Sequence, residues 1–204
     1  WMNRCLDSNI RPGKSIDFGY DVETYFNPLI NQLTKFYKAD SIEPIEFYGN
    51  CYNGNADLFT TMSYLPHVDT FPGADKDINP LNDYAFNLNL TKSDKVNTAF
   101  YSFNNKKSVC DWTPDDYNDF DRVRARHKKI KAKDWRKLSN ENFQNYQLEY
   151  IANIEYNSLI LYPSHYWHSV YIKEDWFTDT DRVTFTGFFE TKTTSSKTKK
   201  LGFG

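Results

Sequence analysis

The chain has 204 residues, 25 basic and 27 acidic, a net charge of −2 and an aromatic fraction of 18%. That length suits one domain with a sizeable core, and the near-neutral balance argues against a nucleic-acid binder driven by bulk charge. The three cysteines, Cys5, Cys51 and Cys110, make neither a disulfide framework nor a zinc motif, and no run is apolar enough to span a membrane, so a reducing, cytoplasmic location with no membrane partner is expected.

Residues 1–20 show no periodic pattern, and Pro12-Gly13 marks a turn. Asn27-Pro28 reads as an N-cap followed by proline at the first helical position. Leu29, Ile30, Leu33, Phe36 and Tyr37 follow at helical spacing, which predicts an amphipathic helix packed outside a sheet. Residues 42–48 and 56–65 read as strands, the second delivering His67 at its end. The polar loop 70–83, with Pro72-Gly73 and Asn79-Pro80, is either a substrate-contacting loop or a solvated connector. Residues 84–90 alternate: Phe86, Leu88 and Leu90 share one face, Ala85, Asn87 and Asn89 the other. The apolar face should meet the helix. The polar face either lines a barrel interior around a polar ligand or faces solvent. Residues 97–103 form the next strand.

Residues 104–146 differ in composition from the rest. Thr113-Pro114-Asp115-Asp116 is a helix start, with acids at the positive end of the dipole. A basic run follows from Arg122 to Lys137, with His127 as a surface residue inside it. This charged, helical insertion compensates its own charge, which favours a solvated excursion over a surface for nucleic acid. Strands are expected at 147–155 and 158–162, then from His168 and from Arg182. The tail at about 191–204 is too polar to pack and should be flexible. Residues 1–204 thus read as a single domain. Many short strands with helices outside them argue for a mainly β protein, a double-sheet jelly roll.

The chemistry gathers on a few positions. His67 and Asp69 lie two residues apart, so on an extended segment they share a side. A second histidine downstream would complete the 2-His-1-carboxylate set that holds non-haem Fe(II) with open positions. His168 and His165 compete for that role. Pro163-Ser164 marks a turn beside His165, and His168 begins the apolar strand His-Ser-Val-Tyr-Ile, the position where the family named below places its ligand. Arg182 follows it by 14 residues and opens another strand. A guanidinium there needs an anionic partner, and Thr184 shares its face.

Tyr64-x-Pro66-His67-x-Asp69, Leu161-Tyr162-Pro163-Ser164-x-x-x-His168-x-Val170 and Arg182-x-Thr184 together resemble the Fe(II)/2-oxoglutarate-dependent dioxygenases. The prolyl-hydroxylase-like branch is most similar, as is an uncharacterised bacterial and phage group. The resemblance spans roughly residues 57–190. It implies a double-stranded β-helix, a cupin-like jelly roll, with Fe(II) on His67, Asp69 and His168. It further implies 2-oxoglutarate held through its far carboxylate by Arg182 and Thr184, with Tyr64 and Asn87 beside it. Asn87 stands where that family usually has a tyrosine, and Val96-Asn97 where it has two glycines. O2 would convert 2-oxoglutarate to succinate while a substrate C–H bond is hydroxylated. An amino-acid side chain, free or in a peptide, is the expected substrate. A small metabolite or a nucleobase, other cupin chemistry, and a non-catalytic binding module are the alternatives. The oligomeric state is left open.

Overall fold

The computed structural model describes residues 5–7, 14–17, 22–52, 66–69, 83–127, 145–171, 173, 176–177 and 180–193. Nine strands are described: β1 (Cys5–Asp7), β2 (Lys14–Asp17), β3 (Ser41–Tyr52), β4 (Asp83–Asn89), β5 (Asn97–Phe103), β6 (Tyr146–Asn153), β7 (Leu159–Pro163), β8 (His168–Tyr171) and β9 (Arg182–Lys192). Helices α1 (Val22–Tyr37) and α2 (Pro114–His127) complete the set. The strands form two antiparallel sheets, a six-stranded one in the order β1-β2-β3-β9-β4-β7 and a three-stranded one in the order β6-β5-β8. Strands adjacent in the sheet are mostly remote in sequence, as in the jelly roll that the strand pattern predicts.

Each sheet carries an apolar cluster on one face with a helix over it. On the large sheet, Phe47, Phe86, Phe185 and Phe189 pack with Leu33 and Ile42 beneath α1. On the small sheet, Ala99, Tyr101, Phe103, Trp167 and Tyr171 pack with Val123 of α2. Strict alternation then sends the intervening residues to the opposite faces. There β9 presents Arg182, Thr184 and Thr186, with Asn89 opposite Thr184 and Asn87 opposite Thr186. All five are buried. Sequence alternation left Asn87 and Asn89 either interior or wet; the second sheet makes them interior. One close approach needs glycine. Gly187 sits among the Phe47 and Phe86 rings, where a Cβ would collide with both.

Several boundaries differ from expectation. The first helix begins at Val22, not Asn27, and Pro28 lies inside it. The cause is Phe26, whose ring stacks on Phe185 at 4.3 Å and meets Phe47 edge-on at 5.5 Å. That burial extends the helix past a proline that costs one backbone hydrogen bond. Phe36 is off the buried face and exposed, and Leu90 lies beyond β4 and is exposed too. Thr191 and Lys192 belong to β9, so the strand runs two residues into the expected tail. The expected strand 56–65, Tyr64, the loop 70–82, the basic residues from Lys128 to Lys137 and the tail from 194 lie outside the described residues.

The helix start in the insertion forms as its residues dictate. Thr113 caps α2, and Asp116 reaches back to accept from the Thr113 backbone N–H at 2.7 Å and its hydroxyl at 2.6 Å. Lys106 also pairs with Asp116. Burial pushes the Asp116 carboxyl up, but hydrogen bonds from Lys106, Thr113 and Asn104 outweigh it and hold it below the usual carboxylate range. The helix is not wholly solvated, since Val123 is buried and Phe120 packs on Trp167.

Candidate metal centre

His67 and His168 are brought together by the backbone. They form an antiparallel bridge, with His67 N–H donating to the His168 carbonyl at 2.8 Å and the reverse bond at 2.9 Å. The imidazole centroids are then 4.5 Å apart. Asp69 is fixed one step on, where its N–H donates to the Ser164 carbonyl at 2.9 Å. The segment 66–69 thus lies alongside the turn Ser164–Trp167 and the start of β8. One ligand atom from each of His67, Asp69 and His168 falls within 4.8 Å of the others.

The tautomer of His168 suits a metal. Its Nδ1 lies 2.9 Å from the Tyr166 carbonyl, which can only accept, so Nδ1 carries the proton. Nε2 is left with its lone pair, 3.3 Å from Asp69 Oδ2. Burial holds the imidazolium form off and lowers the His168 pKa to about 4, against the Tyr166 carbonyl that pulls it up. A neutral imidazole held by a backbone carbonyl is the arrangement that orients metal-ligating histidines. His67 Nε2 is 3.8 Å from Asp69 Oδ1. Its side chain is 44% exposed, against 12% for Asp69 and 7% for His168, so the cluster opens to solvent on the His67 side.

His165 is not part of this cluster. It is buried, with Nδ1 2.8 Å from the Ser108 hydroxyl. Arg182 is buried at the start of β9, and its Nη1 donates to Thr184 Oγ1 at 3.4 Å. That contact folds the guanidinium along the interior face toward Thr184. Asn87, on the same face, is buried with no hydrogen-bond partner for Oδ1 among the described residues. Thr98 Oγ1, buried on β5, is in the same condition. Polar groups of this kind are costly unless a ligand or water satisfies them. Among the residues considered from sequence, the structure therefore joins His67, Asp69 and His168, and separately Arg182 and Thr184. Tyr64 lies outside the described residues.

Sequence reasoning assigned no role to Tyr162. The structure puts its hydroxyl 3.3 Å from His168 Nε2, with the two rings 4.7 Å apart. The available signal was its place, six residues before His168 across a Pro-Ser turn. The described part of the basic insertion stands elsewhere. α2 packs on the face of β5 bearing Tyr101 and Phe103, whereas Phe100, opposite His168, points to the other face.

Fold and site together define a jelly roll that carries a His-x-Asp…His cluster. Residues 12–189 match the family of unknown function DUF6445, and the chain belongs to that family. No curated protein matches it. Among solved structures, the non-haem α-ketoglutarate-dependent epimerase SnoN from nogalamycin biosynthesis is similar, with a TM-score of 0.52 and 11% identity over 98% of this chain and 75% of that one. HygX from Streptomyces hygroscopicus with nickel and 2-oxoglutarate bound has a TM-score of 0.51 and 11% identity, over 92% of this chain and 73% of that one. HygX with iron bound gives 0.50 and 12%, over 87% and 71%. At identities this low, the likeness is one of fold. No described helix is long and apolar enough to cross a membrane.

Proposed function

We propose that this chain is an Fe(II)- and 2-oxoglutarate-dependent oxygenase, with His67, Asp69 and His168 as its metal ligands. The observation that carries the reading is the convergence of those three ligand atoms within 4.8 Å, with His168 Nε2 held unprotonated. Two imidazoles and a carboxylate with an open side suit Fe(II) and leave positions for a chelating 2-oxo acid. Similarity in fold to SnoN, an α-ketoglutarate-dependent epimerase, and to HygX, with nickel and 2-oxoglutarate in one structure and iron in another, supports it.

The chain's own residues divide the work. His168 keeps its lone pair because Tyr166 holds the opposite proton. Arg182, buried and desolvated, takes the far carboxylate of 2-oxoglutarate as a charge-assisted pair, and Thr184 orients its guanidinium. Asn87 offers its buried amide to the same ligand. Bound iron would supply O2 activation coupled to oxidation of 2-oxoglutarate to succinate. The substrate is an amino-acid side chain, free or in a peptide, and the reaction is hydroxylation of a C–H bond. The motif around His67 supports that class by resemblance.

Thermal melts test the proposal. 2-Oxoglutarate should raise the melting temperature of the wild type only when Fe(II) or Mn(II) is present, and Asp69→Ala should lose the response. A rise without metal, or none with it, would favour a non-catalytic binding module.

A further inference from the structure

We propose that His165, anchored by Ser108, is a positioning residue of this centre, because it sets the turn whose backbone carbonyls hold Asp69 and His168. The inference rests on the metal-centre reading above. It gives a role to a histidine that stands outside the ligand set.

Both ligands beside the turn are placed by main-chain carbonyls. Asp69 N–H donates to the Ser164 carbonyl at 2.9 Å, and His168 Nδ1 donates to the Tyr166 carbonyl at 2.9 Å. His165 is the residue between those two carbonyls. A peptide group is planar, so its carbonyl direction follows the torsions of the residues on either side. The Tyr166 carbonyl is fixed through the main chain: the N–H of the same peptide group, on Trp167, donates to the Lys107 carbonyl at 3.2 Å. The Ser164 carbonyl belongs to the peptide group that leads into His165. On its far side, Ser164 N–H is tied to the Asp83 carbonyl at 3.1 Å. On its near side, the setting of His165 decides where that carbonyl points.

His165 is gripped twice by one segment. Its Nδ1 lies 2.8 Å from Ser108 Oγ, with both residues buried, and its carbonyl accepts from Val109 N–H at 3.2 Å. Ser108 is itself held, since Oγ accepts from Cys110 N–H at 2.9 Å as the cap of the 3-10 turn Val109–Asp111. Two residues before Ser108, Lys106 exchanges both backbone bonds with Phe103, the last residue of β5. The link therefore runs from β5 through Ser108 and His165 to Asp69. β5 also pairs with β8, which begins at His168. Asp69 and His168 are thus referred to one sheet, and the 3.3 Å between Asp69 Oδ2 and His168 Nε2 depends on that frame. A buried imidazole needs a hydrogen-bond partner wherever it sits. Here the partner ties the turn bearing the Asp69 acceptor to the strand beside His168. Phenylalanine would fill the space of the imidazole without the anchor. Asparagine carries an amide donor and acceptor close to the place of Nδ1 and can keep it.

Amide exchange and metal titration together test this. Full-length wild type, His165→Phe, His165→Asn, Ser108→Ala and the double variant His165→Phe/Ser108→Ala are compared. Exchange at the Asp69 amide is followed by NMR in metal-free protein, and Mn(II) is then titrated calorimetrically without O2. Residues that orient metal ligands typically contribute 10–100-fold in affinity, and His165 acts one step further out. His165→Phe and Ser108→Ala should therefore each bind Mn(II) about tenfold more weakly and exchange the Asp69 amide about tenfold faster. The double variant should be no worse than either single one, since both remove the same bond. His165→Asn should restore both properties. Unchanged Mn(II) affinity in His165→Phe and Ser108→Ala would overturn the proposal. So would asparagine performing no better than phenylalanine, or a loss of protection as large throughout β5 and β8 as at Asp69, either of which would make the pair a packing element. If His165→Phe does not fold, Ser108→Ala against His165→Asn carries the same comparison. If wild type binds no Mn(II), the metal-centre reading falls, while exchange at Asp69 still decides whether His165 and Ser108 set the turn.

Discussion

Acid should destabilise the metal-free protein through His168 in a calculable way. Burial lowers its pKa in the native state to about 4 from the ordinary 6.5. Above pH 6.5 the imidazole is neutral in both the folded and unfolded chain, and the native state carries its full stability. As the pH falls below 6.5, the unfolded chain takes a proton that the native site refuses. Stability is therefore lost across the window from 6.5 down to about 4, and the loss levels off once both states are protonated. At 1.36 kcal/mol per pH unit, that gap corresponds to about 3 kcal/mol. Wild type and His168→Gln, both stripped of metal by chelator, are unfolded in urea at pH 7, 5.5 and 4.5. Glutamine cannot titrate, so the difference between the two proteins should shrink or reverse by about 2–3 kcal/mol toward pH 4.5. Parallel stability curves would refute the claim that His168 is held neutral by burial.

Three further outcomes follow from particular contacts. Arg182→Ala should weaken 2-oxoglutarate binding by well over tenfold and spare the metal, since losing a desolvated partner of a carboxylate costs about 2–5 kcal/mol; unchanged affinity by calorimetry would remove Arg182 from the site. Gly187→Ala would place a methyl group 2.7 Å from Phe47 Cδ1 and closer still to the Phe86 ring. A loss of about 1–3 kcal/mol in urea unfolding is expected from that overpacking, and a neutral result would show that the two rings can yield. Asp116→Ala removes the return half of the α2 cap and should cost about 1–2 kcal/mol at pH 7. Because the Asp116 carboxyl is held below its ordinary range, its contribution is complete above the unfolded value of 3.8 and is lost as the pH falls below it, so the two proteins should converge in strong acid.

Local chemistry carried much of this structure in readable form. Period-2 alternation placed β4 within a residue of its observed limits, because Phe86 and its face pack against aromatic neighbours. The capping pattern at Thr113-Pro114-Asp115-Asp116 started α2 where the hydrogen bonds start it. Features set by remote partners were not legible. Pro28 looked like a helix start, yet the packing of Phe26 on Phe185, a partner far along the chain, carries α1 past it. Charge in α2 masked the apolar members Phe120 and Val123, whose burial depends on Trp167. The wet-or-interior ambiguity of Asn87 has the same origin, since only the second sheet covers that face.

The candidate site divides along the same line. The spacing His67-x-Asp69 and the strand beginning at His168 were visible as ligand types. Their meeting depends on a backbone bridge across a hundred residues, which no local pattern encodes. The turn and the resemblance favoured His168 over His165, and their surroundings separate them in the fold, a buried serine for one and a carboxylate for the other. Tyr162 was legible only as one member of the Leu-Tyr-Pro-Ser stretch before His168, because its hydroxyl meets the imidazole only once the chain has folded.

The measurement that tests the central claim most directly is succinate formation. Purified protein is given Fe(II), ascorbate, O2 and 2-oxoglutarate, and succinate is quantified by mass spectrometry with and without candidate amino acids and peptides. Slow succinate production in wild type, stimulated by a true substrate that gains one oxygen and absent in Asp69→Ala, is the predicted result. No succinate from wild type that demonstrably binds Fe(II), or equal succinate from Asp69→Ala, would contradict it.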